Sequence, residues 1–394
     1  MNILHIIAHY NYEYKYQEVN LAELQAAQGH NVTVIAASQN TSQFIKEKVN
    51  LKKNSYINGV KIVRLPVMVE FGSRPIFKGL KKNVINIYPD VIHCHDILSF
   101  LPIQLHYICK SNGIPLILDT HAASFNTDIK TGVRPMLYRL FKLLFRRTLI
   151  NAVYKFVPVG ENERDLMNDV LDLPEEKIQL IRLPVNHTEI NRCDSSLEYQ
   201  HIVDAAVRNK IIIHAGKIFR RKKIDILIRA VSLLKQKGFL IKIIIAGEVD
   251  LDEQKYLDTV IRNNSLLDDV FFLGLVSNEQ ISQLFQISDI GVWPSGISVA
   301  AIEAMLTGMP LIVKDDEYNR FLVNNKENVY REGDFIGLAE KIEELFLKDS
   351  SELDIVHKEN KTWIENNFSC NTVNDQFINL YLDAIKHNRK LRQN

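Results

Sequence analysis

The sequence predicts an α/β protein built from two doubly wound parallel-sheet domains. Three observations predict it. Short β-branched apolar runs alternate with longer helical stretches along the chain. Runs such as IIIHAG (211–216) and IKIIIAG (241–247) are continuously apolar, as strands covered by helices on both faces require. The alternation falters once, over the polar, weakly periodic 188–200, and then resumes. At 394 residues the chain also exceeds what one hydrophobic core usually sustains.

In order, strands are expected at 2–8, 31–37, 60–65, 90–95, 115–121, 155–160 and 177–183. The second half should hold 210–216, 241–247, 269–274, 290–295, 310–315 and 327–332. Between strands, segments such as 225–237 place Ile226, Leu227, Ala230, Val231 and Leu234 at helical spacing, as crossover helices do. The domains are expected at 1–187 and 188–370, with a C-terminal helix over 371–394 crossing back to the first. Ligands of such sheets bind beyond the carboxyl ends of the strands, so the expected site faces a cleft between the domains.

Composition excludes several classes. Apolar residues make up 46% and charged residues 24%, ordinary for a globular domain, and a net charge of +1 gives no bulk field for nucleic acid. A bound anion therefore needs a local site. Cys94, Cys109, Cys193 and Cys370 show no paired spacing, which argues against a disulfide framework or zinc and for a reducing compartment. The first residues form no secretory leader, and no window nears the ~20 apolar residues that span a bilayer. A cytoplasmic location is the expectation.

Two segments point to phosphate chemistry. After the strand ending at Gly216, which permits a tight exit, come Lys217 and the Lys222/Lys223 pair, point charges able to converge on a diphosphate. Further on, Gly296 and Ser298 suit a turn and cap, and 299–306 reads as a helix closed by Gly308. Free amides at 297–300 would form an anion site, and Glu303, one turn inside, could accept hydrogen bonds from vicinal hydroxyls. Taken alone, the basic loop is better read as solvated surface, and Glu303 as a surface or capping carboxylate. Together they shift that balance.

Together they also resemble the retaining GT-B glycosyltransferases of family 4. The family segment G-R/K-L-x-x-x-K-G-x-D-x-L-I is matched by Gly216, Lys217, Ile218, Lys222, Asp225, Leu227 and Ile228. Its P-S…E-A-M-x-x-G-x-P segment is matched by Pro294, Ser295, Glu303, Ala304, Met305, Gly308 and Pro310. Phe272, Leu273, Gly274 and Val276 fit F-L-G-x-V, and Asp289 stands at the usual aspartate. In the first half, 29–35, 89–95 and 114–121 are similar to family landmarks. The resemblance implies two Rossmann-like domains facing across a cleft, and transfer of a hexosyl-type sugar from a nucleotide diphosphate, taken here as UDP. It implies Lys217 and Lys222 on the diphosphate, Glu303 on the ribose, and His121 on the sugar or a phosphate oxygen. Gly216, Gly274, Val276, Ser295, Ile297, Ser298 and Val299 would line the donor, the loop from Gly274 meeting the base through backbone atoms. Tyr16, Gln17 and Glu18 would form an acceptor-side loop. Lysines and helix-terminal amides would stabilise charge on the departing diphosphate. No cofactor beyond the donor and no metal is implied, and no DxD motif is read beside a cleft-side strand.

The sequence also departs from the family. Ser295 replaces the first glutamate of the E-x7-E pair, Glu317-Tyr318 replace a glycine pair, Phe321 replaces a further glutamate, and Lys15 replaces a loop glycine. Two readings follow: an active enzyme whose Ser298 and neighbours make the missing contacts, or a pseudo-glycosyltransferase serving as a binding or partner subunit. Retention of the lysines, Glu303 and His121 favours activity. A sugar-nucleotide 2-epimerase would need carboxylates and histidines around the sugar, and the change at Ser295 runs against it. Finally, 130–158 lacks Asp and Glu but carries Arg134, Arg139, Lys142, Arg146, Arg147 and Lys155. Leu137, Phe141, Leu144 and Phe145 share the opposite face, so 134–147 suits either an interfacial helix on anionic lipid or a helix packed on the core. Membrane contact would place the protein on the inner face of the plasma membrane. A lipid-linked saccharide acceptor in envelope polysaccharide assembly would then follow, beside a soluble saccharide otherwise.

Overall fold

The computed structural model describes residues 1–12, 17–40, 49–50, 54–71, 74–122, 132, 134–184, 200–296, 298–320, 323–324 and 327–393. Lys15, Tyr16, Cys193, Ile297 and Phe321 lie outside the described residues. The chain divides into two compact units, Met1–Pro184 with Cys370–Asn394, and Val185–Ser369.

In the first unit, β1 (Asn2–Ile6), α1 (Gln17–Ala27) and β2 (Asn31–Ala37) open the chain. They are followed by the two-residue pair β3 (Gln39–Asn40) and β4 (Val49–Asn50), then β5 (Asn54–Ile57), β6 (Val60–Leu65), β7 (Val67–Phe71) and β8 (Arg74–Phe77). Next come α2 (Leu80–Ile87), β9 (Val91–His95), α3 (Leu101–Asn112), β10 (Leu116–Thr120), α4 (Arg134–Ala152), β11 (Val153–Pro158) and α5 (Glu161–Leu171). The main sheet runs β11-β10-β9-β1-β2-β6-β5, parallel except for β5. Period-2 alternation divides its side chains. Leu4, Ile92, Cys94 and Leu118 bury one face beneath α2, α3, α4 and α5. Ile3, Val91, Ile117 and Val157 bury the other beneath α1 and the last helix, α14 (Cys370–Gln393), whose Phe377 and Tyr381 are fully buried.

The second unit comprises α6 (Gln200–Ala206), β12 (Lys210–Ala215), α7 (Ile224–Gln236), β13 (Ile241–Ala246), α8 (Leu251–Asn263), β14 (Val270–Gly274), α9 (Asn278–Gln286) and β15 (Ile290–Trp293). It ends with α10 (Val299–Leu306), β16 (Leu311–Lys314), α11 (Glu317–Arg320), β17 (Val329–Tyr330), α12 (Phe335–Phe346) and α13 (Ser350–Phe368). Its sheet is wholly parallel, ordered β14-β13-β12-β15-β16-β17. α7, α8 and α12 cover one face, and α6, α9, α10 and α13 the other.

Both sheets reverse strand order once, between β1 and β9 in the first unit and between β12 and β15 in the second. Such switch points open the crevice in which doubly wound sheets take ligands. Two expectations need correction. The segment 177–183 is not a sheet strand: it pairs with β11 at a single bridge, Phe156–Ile178, immediately after a 3-10 turn at Glu175–Lys177. The strand at 327–332 shrinks to the two residues of β17.

Candidate functional site

At the switch point of the second unit, the loops leaving β12 and β15 are tied together. Trp293 Nε1 donates to the Ala215 carbonyl (3.0 Å) and lies 3.1 Å from Ser298 Oγ, which itself donates to Ala215 (3.3 Å). Ser298 occupies the N-cap position of α10, but its side chain makes no cap bond. The expected cap bond is therefore not made; the hydroxyl donates instead to the end of β12. The first turn of α10 starts at Val299, is not capped by Ser298 and holds no acidic residue, so no carboxylate of that turn offsets the positive end of its dipole. Glu303 is half-buried within the same helix, and Ser295 is half-buried in the loop before it.

The two expected diphosphate cations differ. Lys217 is exposed and pairs with Glu248 (3.1 Å). Lys222 ends a 3-10 turn spanning Arg220–Lys222, lies 5.9 Å from the Phe219 ring, and is half-buried. Burial, then neighbouring Arg221, pushes its pKa below the usual lysine value. Arg220 is committed elsewhere, bonded to Glu253 (2.8 Å) and stacked 3.3 Å over Tyr256. Lys223, at the glycine of the family segment, adopts φ 57°, which explains why glycine suits that position. Gly274 ends β14 and its carbonyl accepts from Gly247 N (2.7 Å). Val276 packs on the core, and Ser277 caps α9 through a reciprocal capping box with Gln280.

The first unit carries a cluster that the sequence reading missed. On the face under α1 and α14, three buried imidazoles and a carboxylate stand among apolar side chains. Strand register sets His5 beside His93 and His95 beside Asp119. His95 Nδ1 donates to Asp119 Oδ2 (2.7 Å), and His93 Nε2 lies 3.2 Å from the same oxygen. His5 Nδ1 meets His95 Nε2 (3.0 Å), His5 Nε2 meets Gln25 Oε1 (2.8 Å), and His93 Nδ1 meets the Tyr381 hydroxyl (2.7 Å). The available signal was His93-x-His95 and Asp119-x-His121, polar residues at alternate positions on strands otherwise apolar. Nitrogens of His5, His93 and His95 lie within 4.8 Å of one another, close enough to bracket an ion, but the contacts just described already occupy most of them.

His121 follows β10, and its Nε2 is 3.8 Å from Asp119 Oδ2. Burial alone favours the acid form of Asp119, but the charges of His95 and His93, with His121 close by, hold it well below the carboxylate range. Burial, then the neighbouring imidazoles, lowers His5 far below an ordinary histidine and His93 to about 4. For His121, burial opposes the charge, but Asp119, Glu18 and Glu163 together raise its pKa. Gln17 and Glu18 open α1 in the same unit.

Residues 198–369 match the family model described as Glycosyl transferases group 1, and 19–189 match Glycosyltransferase Family 4. The chain is 26% identical over 196 residues to the putative glycosyltransferase EpsF of Bacillus subtilis (strain 168), covering 49% of this chain and 50% of that protein. It is 25% identical over 192 residues to the capsular polysaccharide biosynthesis glycosyltransferase CapM of Staphylococcus aureus, covering 45% and 47%. It thus spans about half the length of each of these relatives. Among solved structures it is similar to HepE of Anabaena in complex with UDP, with a TM-score of 0.70 at 16% identity over 97% of this chain and 100% of that one. That likeness shows a shared fold, the GT-B architecture of two parallel-sheet α/β domains. With one family model on each unit, the chain belongs to the group 1, family 4 glycosyltransferases.

Proposed function

We propose that the chain transfers a hexosyl unit from a nucleotide diphosphate sugar, a UDP-sugar in this reading, to a saccharide or lipid-linked saccharide in cell-envelope polysaccharide biosynthesis. The observation that carries the proposal is that half-buried Lys222 and the start of α10, which Ser298 does not cap, stand on the two loops leaving β12 and β15 at one switch point. A partly desolvated cation gains more from an anion than a solvated one does. In the reaction, the bond from the anomeric carbon to the diphosphate oxygen breaks and a bond to the acceptor oxygen forms. The acceptor hydroxyl gives up its proton, and the configuration is retained. Lys222, Lys217 and the α10 amides take the charge that develops on the departing diphosphate. Glu303 holds the ribose, and His121 meets the transferred sugar or a phosphate oxygen. The HepE structures with UDP and with UDP-glucose support the choice of base, and the name of CapM supports the pathway class.

The test is a donor screen by thermal shift and hydrolysis with UDP, GDP and their common sugars, beside Lys222→Ala and Glu303→Ala. One donor should stabilise the wild type and be slowly hydrolysed, with both effects lost in the variants. Stabilisation without turnover in any acceptor extract would instead favour a non-catalytic binding subunit, as the serine at 295 allows. No stabilisation by any nucleotide would remove the lysine assignment.

The same reading places the acceptor at an anionic membrane. No helix among the described residues is long and apolar enough to cross one, but α4 suits its surface. Met136, Leu137, Leu140, Leu143 and Leu144 recur at the spacing of one helix face and are all exposed, Leu143 at 82%. No acidic residue interrupts α4. Part of the sequence expectation changes: Phe141 and Phe145 pack on the core rather than share the exposed face. Arg146 is also withdrawn, donating to the carbonyls of Leu171 (2.8 Å) and Asp172 (2.7 Å).

A further inference from the structure

We propose that Arg220 is the positioning residue for Lys222: its guanidinium, anchored on Glu253 and Tyr256 of α8, fixes the turn that presents the lysine to a nucleotide diphosphate. The inference rests on the transferase reading for what Lys222 touches, but the anchor lies wholly within the second unit.

Residues 217–223 carry the chain from Gly216 to α7. Backbone bonds hold the start of that segment: Ile218 N donates to Glu248 O (2.8 Å), and Ile218 O accepts from Asp250 N (3.1 Å). Its end is the 3-10 turn, in which Lys222 N donates to Phe219 O (2.7 Å) and Lys223 N to Arg220 O (3.2 Å). Such a short turn, with its poorly aligned bonds, has little of its own to fix it. Arg220 supplies the tie. Its Nε lies 2.8 Å from Glu253 Oε2, and its guanidinium carbon lies 3.3 Å from the centre of the Tyr256 ring. Tyr256 is fixed in turn, its hydroxyl donating to Asp225 Oδ2 (3.1 Å) in the first turn of α7. One side chain thus joins the loop to α8, and α8 joins back to the helix that the loop enters.

The chemistry favours an anchor over a passing surface contact. Arg220 is 55% exposed, but Glu253 is only 3% exposed, and a buried carboxylate is costly without a cation beside it. Glu253 Oε1 and Asp225 Oδ1 have no hydrogen-bond partner among the described residues, which makes the one guanidinium matter more. Burial pushes Glu253 up, Arg220 opposes the rise, and Asp225 and Asp250 add to it. Lys222, by contrast, has no carboxylate among its described contacts, so its charge stays available to a ligand. A pair serving only to hold α7 against α8 would be redundant, because the two helices already meet in the cluster containing Leu227, Leu257 and Val260.

The test compares Glu253→Gln and Arg220→Ala with the wild type, first without ligand. Glu253→Gln keeps the shape of the acid, and it serves alone if Arg220→Ala does not fold. Hydrogen exchange read by mass spectrometry should show faster labelling of 217–223, with the rest of the second unit protected as before. Unchanged exchange in a folded variant overturns the proposal, and so does loosening spread evenly over the unit. UDP, titrated calorimetrically, then probes the site. Each variant should bind UDP at least about fivefold more weakly, but on a Lys222→Ala background should lose less than about twofold further. Losses that multiply with that of Lys222→Ala overturn the proposal. If Glu253→Gln binds UDP as well as the wild type or better, Arg220 meets the phosphates itself, and the proposal falls. Loosening of 217–223 in a protein that binds no nucleotide would sink the transferase reading and leave the hold of Arg220 on the turn standing.

Discussion

A Cβ placed on Gly247 would collide with the carbonyl oxygen of Gly216, the residue at which the candidate phosphate loop begins. The two glycines leave neighbouring parallel strands, β13 and β12, at φ 139° and 134°. Gly216 N donates to Ala246 O (2.9 Å) and Gly247 N to Gly274 O (2.7 Å), so three adjacent strand ends are stitched together. Because the obstacle is backbone, no side chain can swing away. Gly247→Ala should therefore destabilise the second unit by about 2–4 kcal/mol and weaken nucleotide binding by displacing the loop that bears Lys222. Urea midpoints at unchanged m, with a UDP titration, would check both. A fully stable variant would contradict this account.

Lys223 predicts the reverse. A lysine held at φ 57° carries a left-handed penalty of about 1–2 kcal/mol, partly offset by the entropy that a glycine would lose on folding. Lys223→Gly should stabilise the unit by roughly 0.5–1 kcal/mol. Since Lys222 is the residue assigned to the diphosphate, nucleotide affinity should survive the change. A marked loss of affinity would move the phosphate contact to Lys223.

Much of this architecture was legible in the sequence. Strands at 31–37 and 60–65 and the helix at 299–306 fall where apolar runs and turn residues put them. β5 and the β7–β8 hairpin escaped notice because they are short and partly exposed, so apolar periodicity marks them weakly. For the candidate site, Lys222 and Glu303 were singled out by their places in the two family-like segments. The histidine cluster was not, because His5, His93 and His95 lie inside apolar strands and become a group only when β1, β9 and β10 stand side by side. Ser298 was visible as a helix-start residue, but its partner, the Ala215 carbonyl, lies 83 residues away in the chain.

Ser298 accordingly offers a discriminating substitution. If its hydroxyl serves the strand end, Ser298→Ala should lower stability by about 1 kcal/mol, a modest loss because Trp293 still donates to Ala215. Donor affinity should change by less than about twofold. A large rise in donor KM with stability intact would restore the sugar-contact role that its place in the sequence suggested.

Acid should unfold the protein from a milder pH than its carboxylates alone dictate. Burial lowers His93 and His214 to about 4, and His5 well below its ordinary value. Unfolded, each takes up a proton near 6.5, so between 6.5 and about 4 the unfolded chain binds more protons. Stability is thus level above 6.5 and falls as pH drops, by up to about 1.4 kcal/mol per pH unit for each histidine. His121 has the opposite sign, its raised pKa giving stability present below 6.5 and lost as pH climbs through the folded value. His214, whose Nδ1 donates to Val292 O (2.8 Å), is the cleanest probe. His214→Phe should be less stable at neutral pH, with a shallower decline toward pH 5. An unaltered slope would mean that His214 is not held neutral.

The two faces of α4 should separate in one pair of substitutions. Leu143 and Leu144 are exposed beside Arg147 on a helix without acidic residues, whereas Phe141 and Phe145 pack on the first core. Burying an exposed leucine in the headgroup boundary gains about 1.5–3 kcal/mol, and each basic residue near anionic lipid adds about 1. Leu143→Glu with Leu144→Glu should therefore reduce binding to phosphatidylglycerol vesicles at least tenfold while leaving the melting temperature nearly unchanged. Phe141→Ala should do the opposite, costing about 2 kcal/mol of stability with little direct effect on lipid. Added salt should weaken wild-type binding through the basic residues. Wild type that ignores anionic vesicles at low salt would turn the acceptor search toward soluble saccharides, and the exposed leucines would then need a protein partner.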